Sequence, residues 1–336
     1  AGRALADVDR AGWAVRAALP SHPPHRDAAA ASQTGCSGAV PPGRPQGSAP
    51  VDDLLQRKRC GSGQAAGLDL DHQRVAPYSS KSLFLSSLNT ELRVRAPAQR
   101  EVLLFVHGYN MTTSDAILQV VQFVEDSGFE GVPVFFTWAS AGRTSRYVYD
   151  LNSALVARPL LIDASELLSK SIATKYHIFA HSMGSFLTME AIVDVAQKNQ
   201  FNRTGRLQNV VLASPDIDID LFRSQMGQIN TTFDRFFVLL SKDDSALRAA
   251  RQIAGGVPRV GAADAEELST LGVNAIDLSK VQDTRTGSHS KFAGSPEVVQ
   301  LIGRALNEAP AYGSRRQTVL EQVIGDLPVR VVTTRN

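Results

Sequence analysis

The sequence predicts a doubly wound α/β domain with a mostly parallel β-sheet and a low-complexity tail at the N-terminus. From about residue 80 onward, short apolar runs rich in β-branched and aromatic residues alternate with amphipathic stretches of helical period. The first 75 residues show no such alternation. Strands that alternate with helices at this spacing are joined by right-handed crossovers, which produce a parallel sheet covered by helices on both faces.

The first half of the predicted domain begins with the almost fully apolar run Glu101–Val106, which is typical of a strand buried on both faces. A helix follows over Ser114–Asp126, because Ile117, Val120 and Val124 fall on one face of it. In chain order the sequence then predicts a strand over 132–138, a helical region over 146–171 that Pro159 interrupts, a strand over 176–180 and a helix over 183–198.

The second half continues the same alternation. It comprises a strand over 209–213, a short helix near 220–225, a strand over 235–240, a helix over 244–253, a strand over 273–278 and a helix over 296–307. Only about one short helix fits between Asp216 and Asp234, so we expect a small cap. Such a cap would lie near the carboxyl ends of the strands, where sheets of this kind carry their functional loops.

Residues 1–75 are predicted to be a disordered Pro/Ala/Gly-rich tail and linker. Seven of the 16 prolines lie between residues 20 and 50, with alanine, glycine and serine in the gaps. A segment of this composition buries too little apolar surface to offset the entropy lost on ordering. We therefore place the α/β domain at residues 76–310 and assign residues 311–336 to a C-terminal extension.

Composition and charge exclude several classes of protein. The chain is 43% hydrophobic and 20% charged, and its net charge of +2 argues against nucleic acid or an anionic membrane as the main partner. No apolar run approaches the ~20 residues that span a bilayer. We expect no transmembrane segment and a soluble protein of the cytoplasm or the cell envelope. The two cysteines, Cys36 and Cys60, form neither a disulfide framework nor a metal-ligand pattern.

The most informative short segment is Ala180-His-Ser-Met-Gly184, which lies between a predicted strand and a predicted helix. A nucleophile elbow requires this context, because its serine occupies a sharp turn with strained backbone angles. The residues two positions before and after the serine must be small, and Ala180 and Gly184 are, although the fuller pattern has glycine twice. The turn would raise the Ser182 hydroxyl above the sheet at a helix N-terminus. Alternatively, Ser182 only caps that helix.

A second signal, His107-Gly-Tyr-Asn110, directly follows the first clear strand. In a fold with a nucleophile elbow, the loop after that strand supplies one backbone N–H of an oxyanion hole, and the residue after the nucleophile supplies the other. We therefore expect Tyr109 and Met183 to be the donors. A simple strand-terminating turn would use the same residue types. Two signals in the correct order, each at a strand end, favour an α/β-hydrolase fold.

The base is predicted by elimination, since the order of residues in this fold is nucleophile, acid, histidine. Of the seven histidines, only His289 follows Ser182. It lies in the polar segment Thr286-Gly-Ser-His-Ser-Lys291, between the last predicted strand and the last predicted helix. We expect His289 to be the base.

The acid stays open among three aspartates. Asp244 follows the strand over 235–240, where the acid of this fold usually lies, but it could equally be an ordinary helix N-cap. Its neighbour Asp243 has nearly the same position. Asp216 follows the preceding strand, an alternative location for the acid.

Together these residues predict a serine hydrolase that cleaves a carboxylic ester through an acyl-enzyme, with no metal or organic cofactor required. The expected substrate is a small-molecule or lipid-like acyl compound. Two alternatives remain open: an amidase or thioesterase that uses the same triad, and a catalytically silent scaffold that binds a ligand or a partner protein.

The ordered set of motifs resembles a bacterial α/β-hydrolase family of unknown function over about residues 80–307. The motifs that carry the resemblance are Phe105-Val-His-Gly-Tyr-Asn110, Thr137-Trp138, Ala180-His-Ser-Met-Gly184, Ala213-Ser-Pro-Asp-Ile-Asp218 and Ser241-Lys-Asp-Asp-Ser-Ala-Leu247. The resemblance implies the hydrolase fold and a triad of Ser182, Asp244 and His289. It favours Asp244 over Asp243 and implies no particular substrate.

Overall fold

The computed structural model describes residues 13–16, 75–77, 80–229, 235–281, 288–307 and 329–332. One sheet has the strand order β2-β1-β4-β3-β5-β6-β7-β8-β9. Its strands are β1 (Trp13–Arg16), β2 (Val75–Pro77), β3 (Glu101–Val106), β4 (Val132–Phe136), β5 (Lys175–His181), β6 (Leu207–Ala213), β7 (Phe236–Leu240), β8 (Asn274–Asp277) and β9 (Arg330–Val332). Neighbours from β4 to β8 are parallel, and the outer strands β1, β2 and β9 are antiparallel. The prediction of a mostly parallel sheet is confirmed.

Helices follow most of these strands and cover both faces. They are α1 (Lys81–Arg93), α2 (Thr113–Ser127), α3 (Tyr147–Ser169), α4 (Met183–Gln197), α5 (Ile219–Gln228), α6 (Ser245–Ile253), α7 (Ala265–Thr270), α8 (Lys291–Gly294) and α9 (Pro296–Asn307). Within the described residues, no helix is both long enough and apolar enough to cross a membrane.

Side chains that alternate along the strands divide the core in two. In β3, Val102, Leu104 and Val106 pack into the core that contains α1, α3 and α4. Leu103 and Phe105 point to the opposite face and pack with residues of α2 and α9. Because successive side chains of a strand point to opposite faces, a strand covered on both sides must be apolar throughout. This accounts for the unbroken apolar run in the sequence.

Two helical features differ from the predictions. Pro159 does not interrupt α3, which continues from Tyr147 to Ser169. A proline inside a helix removes one backbone hydrogen bond, and the burial of Leu161, Ala164 and Leu168 offsets this loss. Helix α1 was not predicted; Ser80 caps it, and its residues Phe84, Leu88 and Leu92 are buried at helical spacing.

The predicted domain boundaries fall largely outside the described residues. Of the segment predicted as tail, Trp13–Arg16 forms β1, which pairs with the exposed edge of β4 and so satisfies backbone groups there. Residues 17–74, including Cys36 and Cys60, lie outside the described residues, so disorder there stays a prediction. Of the extension over 311–336, residues 330–332 pair with β8 as β9.

Candidate active site

Ser182 lies at the junction of β5 and α4 with φ 53° and ψ −123°. A non-glycine residue in such a conformation stores about 1–3 kcal/mol of strain and persists only where the surroundings hold it. Here the Ser182 N–H donates to the carbonyl of Ala213 at 2.9 Å, and the Ser182 carbonyl accepts from Ser185 and Asp216 at 2.9 and 3.2 Å. The Ser182 side chain makes no capping hydrogen bond to α4. The hydroxyl is therefore not used as a helix cap.

Two glycines allow the chain to pack closely around this turn. A Cβ at Gly184 would lie 2.3 Å from the carbonyl oxygen of His107, and a Cβ at Gly108 would lie 2.9 Å from the Cβ of Ser182. Real Cβ atoms do not approach other atoms so closely, so both positions require glycine. Ala180, the departure from the two-glycine pattern, is fully buried at the end of β5. The elbow therefore contacts the loop after β3 directly.

His289 lies beside the elbow and is bonded to Asp244. Its Nδ1 is 2.8 Å from Oδ2 of Asp244, and the Asp244 side chain is fully buried, whereas 23% of the His289 side chain is exposed. A carboxylate oxygen accepts hydrogen bonds, so Nδ1 of His289 is the donor in this pair, and Nε2 lies on the opposite side of the ring. The ring centroid of His289 is 4.9 Å from that of His181, the residue before Ser182.

Asp244 contacts His289 and also caps a helix. While Oδ2 contacts His289, Oδ1 accepts a hydrogen bond at 3.0 Å from the backbone N–H of Leu247 in the first turn of α6. A cap of this kind fixes the carboxylate with respect to the helix. The orientation of the His289 ring is thus tied to the start of α6.

Asp243 points away from His289. Both of its carboxylate oxygens accept hydrogen bonds at 2.9 Å from Nζ of Lys291, and its side chain is 54% exposed. Partial burial raises the pKa of Asp243, but hydrogen bonds from Ser241 and Lys291 outweigh that effect and hold the pKa below its usual range. Lys291 also donates to the carbonyls of Leu278 and Ser279, so the pair anchors the segment that carries His289.

Asp216 lies near the elbow but is bonded elsewhere. Its Oδ1 forms a buried ion pair with Nε of Arg259 at 3.3 Å, and Tyr147 donates a hydrogen bond to its side chain. Burial raises the pKa of Asp216, and the positive charge of Arg259 opposes this effect. Of the three candidate acids, only Asp244 contacts the His289 ring.

The two expected oxyanion donors lie on either side of the elbow. Met183 is the first residue of α4, where a helix leaves backbone N–H groups without intrahelical acceptors. Tyr109 belongs to the loop that Gly108 brings against Ser182, and the next residue, Asn110, has a φ of 57°. The Tyr109 hydroxyl donates to the carbonyl of Thr144, and its ring meets that of Tyr147 edge-on. Their role as donors stays a prediction.

The loop after β3 is positioned by a His107–Trp138 contact that sequence spacing did not predict. The rings are stacked with centroids 5.2 Å apart, Nε2 of His107 accepts from the Trp138 backbone N–H at 3.2 Å, and the Trp138 indole donates to the His107 carbonyl at 2.9 Å. Complete burial lowers the pKa of His107 to about 4, although the hydrogen bond between its Nδ1 and the Gly108 carbonyl favours the charged form. The only signal in the sequence was the position of Trp138 just after β4, the strand that pairs with β3.

A buried carboxylate supports the same loop from α3. Asp150 is fully buried and accepts hydrogen bonds from the Ser140 hydroxyl at 2.7 Å and from the Ala141 N–H at 2.8 Å. The Ser140 oxygen in turn accepts from the backbone N–H of Met111 at 3.3 Å. The loops after β3 and β4 are therefore bonded to each other and to α3.

His181 completes the surroundings of the elbow. It is buried, its Nε2 lies 3.3 Å from the carbonyl of His289, and its pKa is well below its usual value, mainly through burial and then through the nearby His289. A neutral His181 beside His289 adds no positive charge to the site. Across the described part of the chain, no group of three or more His, Cys, Asp or Glu side chains has the arrangement of a metal site.

Comparisons with known proteins found one matching family profile and several similar solved structures. The profile of a family described as "Alpha/beta hydrolase of unknown function (DUF900)" matches residues 84–305. No curated protein matches the chain. Similar solved structures include dienelactone hydrolase from Anabaena variabilis, with 17% identity, a TM-score of 0.37, and 62% of this chain and 83% of that chain covered. Carboxyl esterase 2 from Tuber melanosporum has 14% identity, a TM-score of 0.39, and coverage of 62% and 79%.

A third similar structure is lipase B from Aspergillus fumigatus, with 15% identity, a TM-score of 0.40, and 74% of this chain and 63% of that chain covered. The family profile spans more than half of the chain and includes the elbow, Asp244 and His289. This chain therefore belongs to that family of α/β-hydrolases of unknown function.

Proposed function

We propose that this α/β-hydrolase is a serine hydrolase that cleaves carboxylic esters, with Ser182 as nucleophile, His289 as base and Asp244 as the residue that orients the base. The observation that carries the proposal is the 2.8 Å hydrogen bond between His289 and the buried Asp244, formed beside a serine in a strained elbow. Structural needs alone account poorly for a strained serine whose side chain caps nothing. Strain of this kind is concentrated at functional sites.

The proposed reaction begins when the Ser182 oxygen attacks the carbonyl carbon of the ester and its proton passes to Nε2 of His289. Asp244 holds Nδ1–H and stabilises the imidazolium that forms. The backbone N–H groups of Tyr109 and Met183 bind the carbonyl oxygen as it becomes negative, each contributing about 3 kcal/mol in the transition state. The tetrahedral intermediate then expels the alcohol, which takes the proton from His289.

Deacylation repeats these steps with water in place of Ser182. His289 removes a proton from the water molecule as its oxygen attacks the acyl carbon, and the proton returns to the Ser182 oxygen when the acid leaves. None of these steps calls on a metal or an organic cofactor. An amide or thioester could enter the same sequence, because the nucleophile and the base act on the same carbonyl.

The test is to treat the purified chain with a fluorophosphonate probe and to measure hydrolysis of p-nitrophenyl butyrate. The variants Ser182→Ala and His289→Ala are run in parallel, with Ser185→Ala as the matched control, since Ser185 lies in α4 and its hydroxyl donates to the carbonyl of Ala180. We expect Ser182→Ala to lose labelling and turnover, His289→Ala to lose most turnover, and Ser185→Ala to keep both.

A folded wild-type protein that neither labels nor hydrolyses any member of an ester, thioester and anilide panel would overturn the proposal in favour of the silent scaffold. Faster turnover of the thioester or the anilide than of the ester would instead assign the triad to a thioesterase or an amidase.

A further inference from the structure

A concavity lies at the opposite end of β5 from Ser182. It is a cavity of about 420 Å³ between α3, α4 and the loop over 198–206. Tyr176, near the start of β5, lines it, whereas Ser182 directly follows the end of that strand. The seven residues of β5 span roughly 20 Å. The proposed hydrolase site lies at the carboxyl ends of the strands, so its chemistry does not account for a cavity at their amino ends.

The interior of this cavity is mainly apolar. Its walls include the buried side chains of Leu161, Ile178, Ile192 and Leu207. Thr188 also lines it; the Thr188 hydroxyl is buried and bonds to no group in the described part of the chain. Small-molecule sites typically have volumes of about 300–1,000 Å³ and apolar walls with a few polar groups. The cavity fits that description.

The wall opposite the helices is an ordered loop. Asn202, with a φ of 47°, exchanges hydrogen bonds of 2.9 and 3.2 Å with the backbone of Leu207. Arg206 donates to the carbonyl of Ser169, the last residue of α3, and to those of Ser171 and Ala173 just after the helix. These bonds tie the loop to the start of β6 and to the end of α3.

The mouth of the cavity is net positive. Lys170 and Arg203 are exposed lining residues whose side chains make no hydrogen bond or ion pair with the described residues, and Glu166 is the acidic lining residue. Two cations beside one carboxylate above an apolar interior favour a ligand with an apolar body and a single negative charge. An ammonium group would meet the repulsion of Lys170 and Arg203.

We propose that this cavity is a binding site for a small amphipathic monoanion, separate from the proposed hydrolase site. The apolar body of the ligand lies against α3 and α4, and its anionic group lies between Lys170 and Arg203. The site does not depend on the assignment of the triad, because among the described residues no hydrogen bond or ion pair joins its lining residues to Ser182, Asp244 or His289.

The test uses the fluorescent probe 1-anilinonaphthalene-8-sulfonate and its uncharged analogue N-phenyl-1-naphthylamine, titrated into the full chain. In the double variant Lys170→Ala/Arg203→Ala, we expect the Kd of the sulfonate probe to rise at least tenfold and that of the neutral probe to change less than twofold. Arg93→Ala, which removes an exposed arginine from α1, is the matched control and should leave both constants unchanged. Glu166→Gln should tighten binding of the sulfonate.

Ala191→Phe places a larger side chain in the cavity wall and should weaken binding of both probes; its far-ultraviolet circular dichroism and unfolding transition are compared with those of the wild type. Lys170, Arg203 and Glu166 are exposed side chains, so their variants test the proposal even if Ala191→Phe does not fold. If the sulfonate binds the double variant as tightly as the wild type, the proposed site is wrong. Equal weakening in Arg93→Ala would show a nonspecific charge effect and would also overturn it.

Discussion

Nδ1 of His289 lies 2.8 Å from Oδ2 of Asp244, two residues that are 45 positions apart in the chain. The same carboxylate caps α6 through its other oxygen. The orientation of the proposed base is therefore coupled to the start of α6. Substitutions of Asp244 can separate its effect on His289 from its effect on the helix cap.

Asp244→Asn should lower kcat by roughly 10³–10⁴-fold, because an amide in this position no longer enforces the Nδ1–H tautomer of His289. Its side-chain oxygen can still cap α6, so the unfolding midpoint should stay near that of the wild type. Asp244→Ala should lose activity and also about 1 kcal/mol of unfolding free energy through the lost cap. Kinetics and urea unfolding of both variants measure the two effects. Asp216→Asn and Asp243→Asn serve as controls, and a larger loss of kcat in either one would reassign the acid.

Lys291→Met should reduce both stability and activity. Lys291 lies two residues after His289 and donates hydrogen bonds to Asp243 and to the carbonyls of Leu278 and Ser279, so it anchors the segment that carries His289. Leaving buried carbonyls unpaired costs about 1–3 kcal/mol of unfolding free energy. Lys280→Met, at an exposed lysine, is the matched control and should have little effect. Equal unfolding midpoints for the two variants would contradict the anchoring role of Lys291.

Gly184→Ala should be strongly destabilising and should abolish turnover, because the added Cβ would lie 2.3 Å from the His107 carbonyl oxygen and would push the β3 loop away from the elbow. Overpacking of this kind typically costs about 1–3 kcal/mol. Gly227→Ala is the control: this exposed glycine in α5 has no atom within 4 Å of an added Cβ, and alanine favours helix. The midpoint of thermal unfolding should therefore fall in Gly184→Ala and stay equal or rise in Gly227→Ala. Similar losses in both variants would count against the close contact between Gly184 and the His107 carbonyl.

Trp138→Phe should lower kcat/KM by about tenfold, corresponding to about 1.4 kcal/mol, because the His107 carbonyl loses the indole donor that holds the oxyanion loop. Phenylalanine keeps an aromatic face for His107. Fluorophosphonate labelling rates and ester kinetics give the measurement. An unchanged kcat/KM would mean that the β3 loop is positioned without this bond.

Unfolding free energy should fall as the pH decreases from about 6.5 towards 4. Burial lowers the pKa values of His107, His177 and His181, that of His107 to about 4 from 6.5. Below pH 6.5 the unfolded chain binds more protons at these histidines than the folded chain does, so stability is complete above that pH and is lost below it. A full difference of one bound proton corresponds to a slope of about 1.4 kcal/mol per pH unit, which is the most that one histidine can contribute.

Urea unfolding at pH 7.5, 6.0 and 5.0 measures this slope. His177, which contacts Glu101 and Asn209 at the opposite end of the sheet from the elbow, provides the comparison. His177→Leu should show a smaller slope than the wild type, whatever its absolute stability. An identical slope would exclude His177 as a contributor.

Local pattern was sufficient to predict the alternating strands and helices, and with them the sheet and the hydrolase fold. The unbroken apolar run of β3 could be interpreted because a strand covered on both faces buries every side chain. The elbow was visible because its small residues are adjacent in sequence. His289 could be selected because no other histidine follows Ser182. Helix α1, which was not predicted, has its buried residues Phe84, Leu88 and Leu92 at helical spacing.

Element order left three aspartates open and the family resemblance favoured Asp244, but only the tertiary structure shows which aspartate meets His289. Asp243 and Asp244 are consecutive, and the backbone turn before α6 directs one carboxylate to Lys291 and the other to His289. The stacking of His107 on Trp138 depends likewise on β3 and β4 being neighbours in the sheet. Such contacts join residues that are 30 to 50 positions apart, and side-chain direction at a loop is set by backbone angles that residue type constrains only weakly. Sequence spacing therefore predicted which residues would gather at this end of the sheet, and packing determined which of them touch.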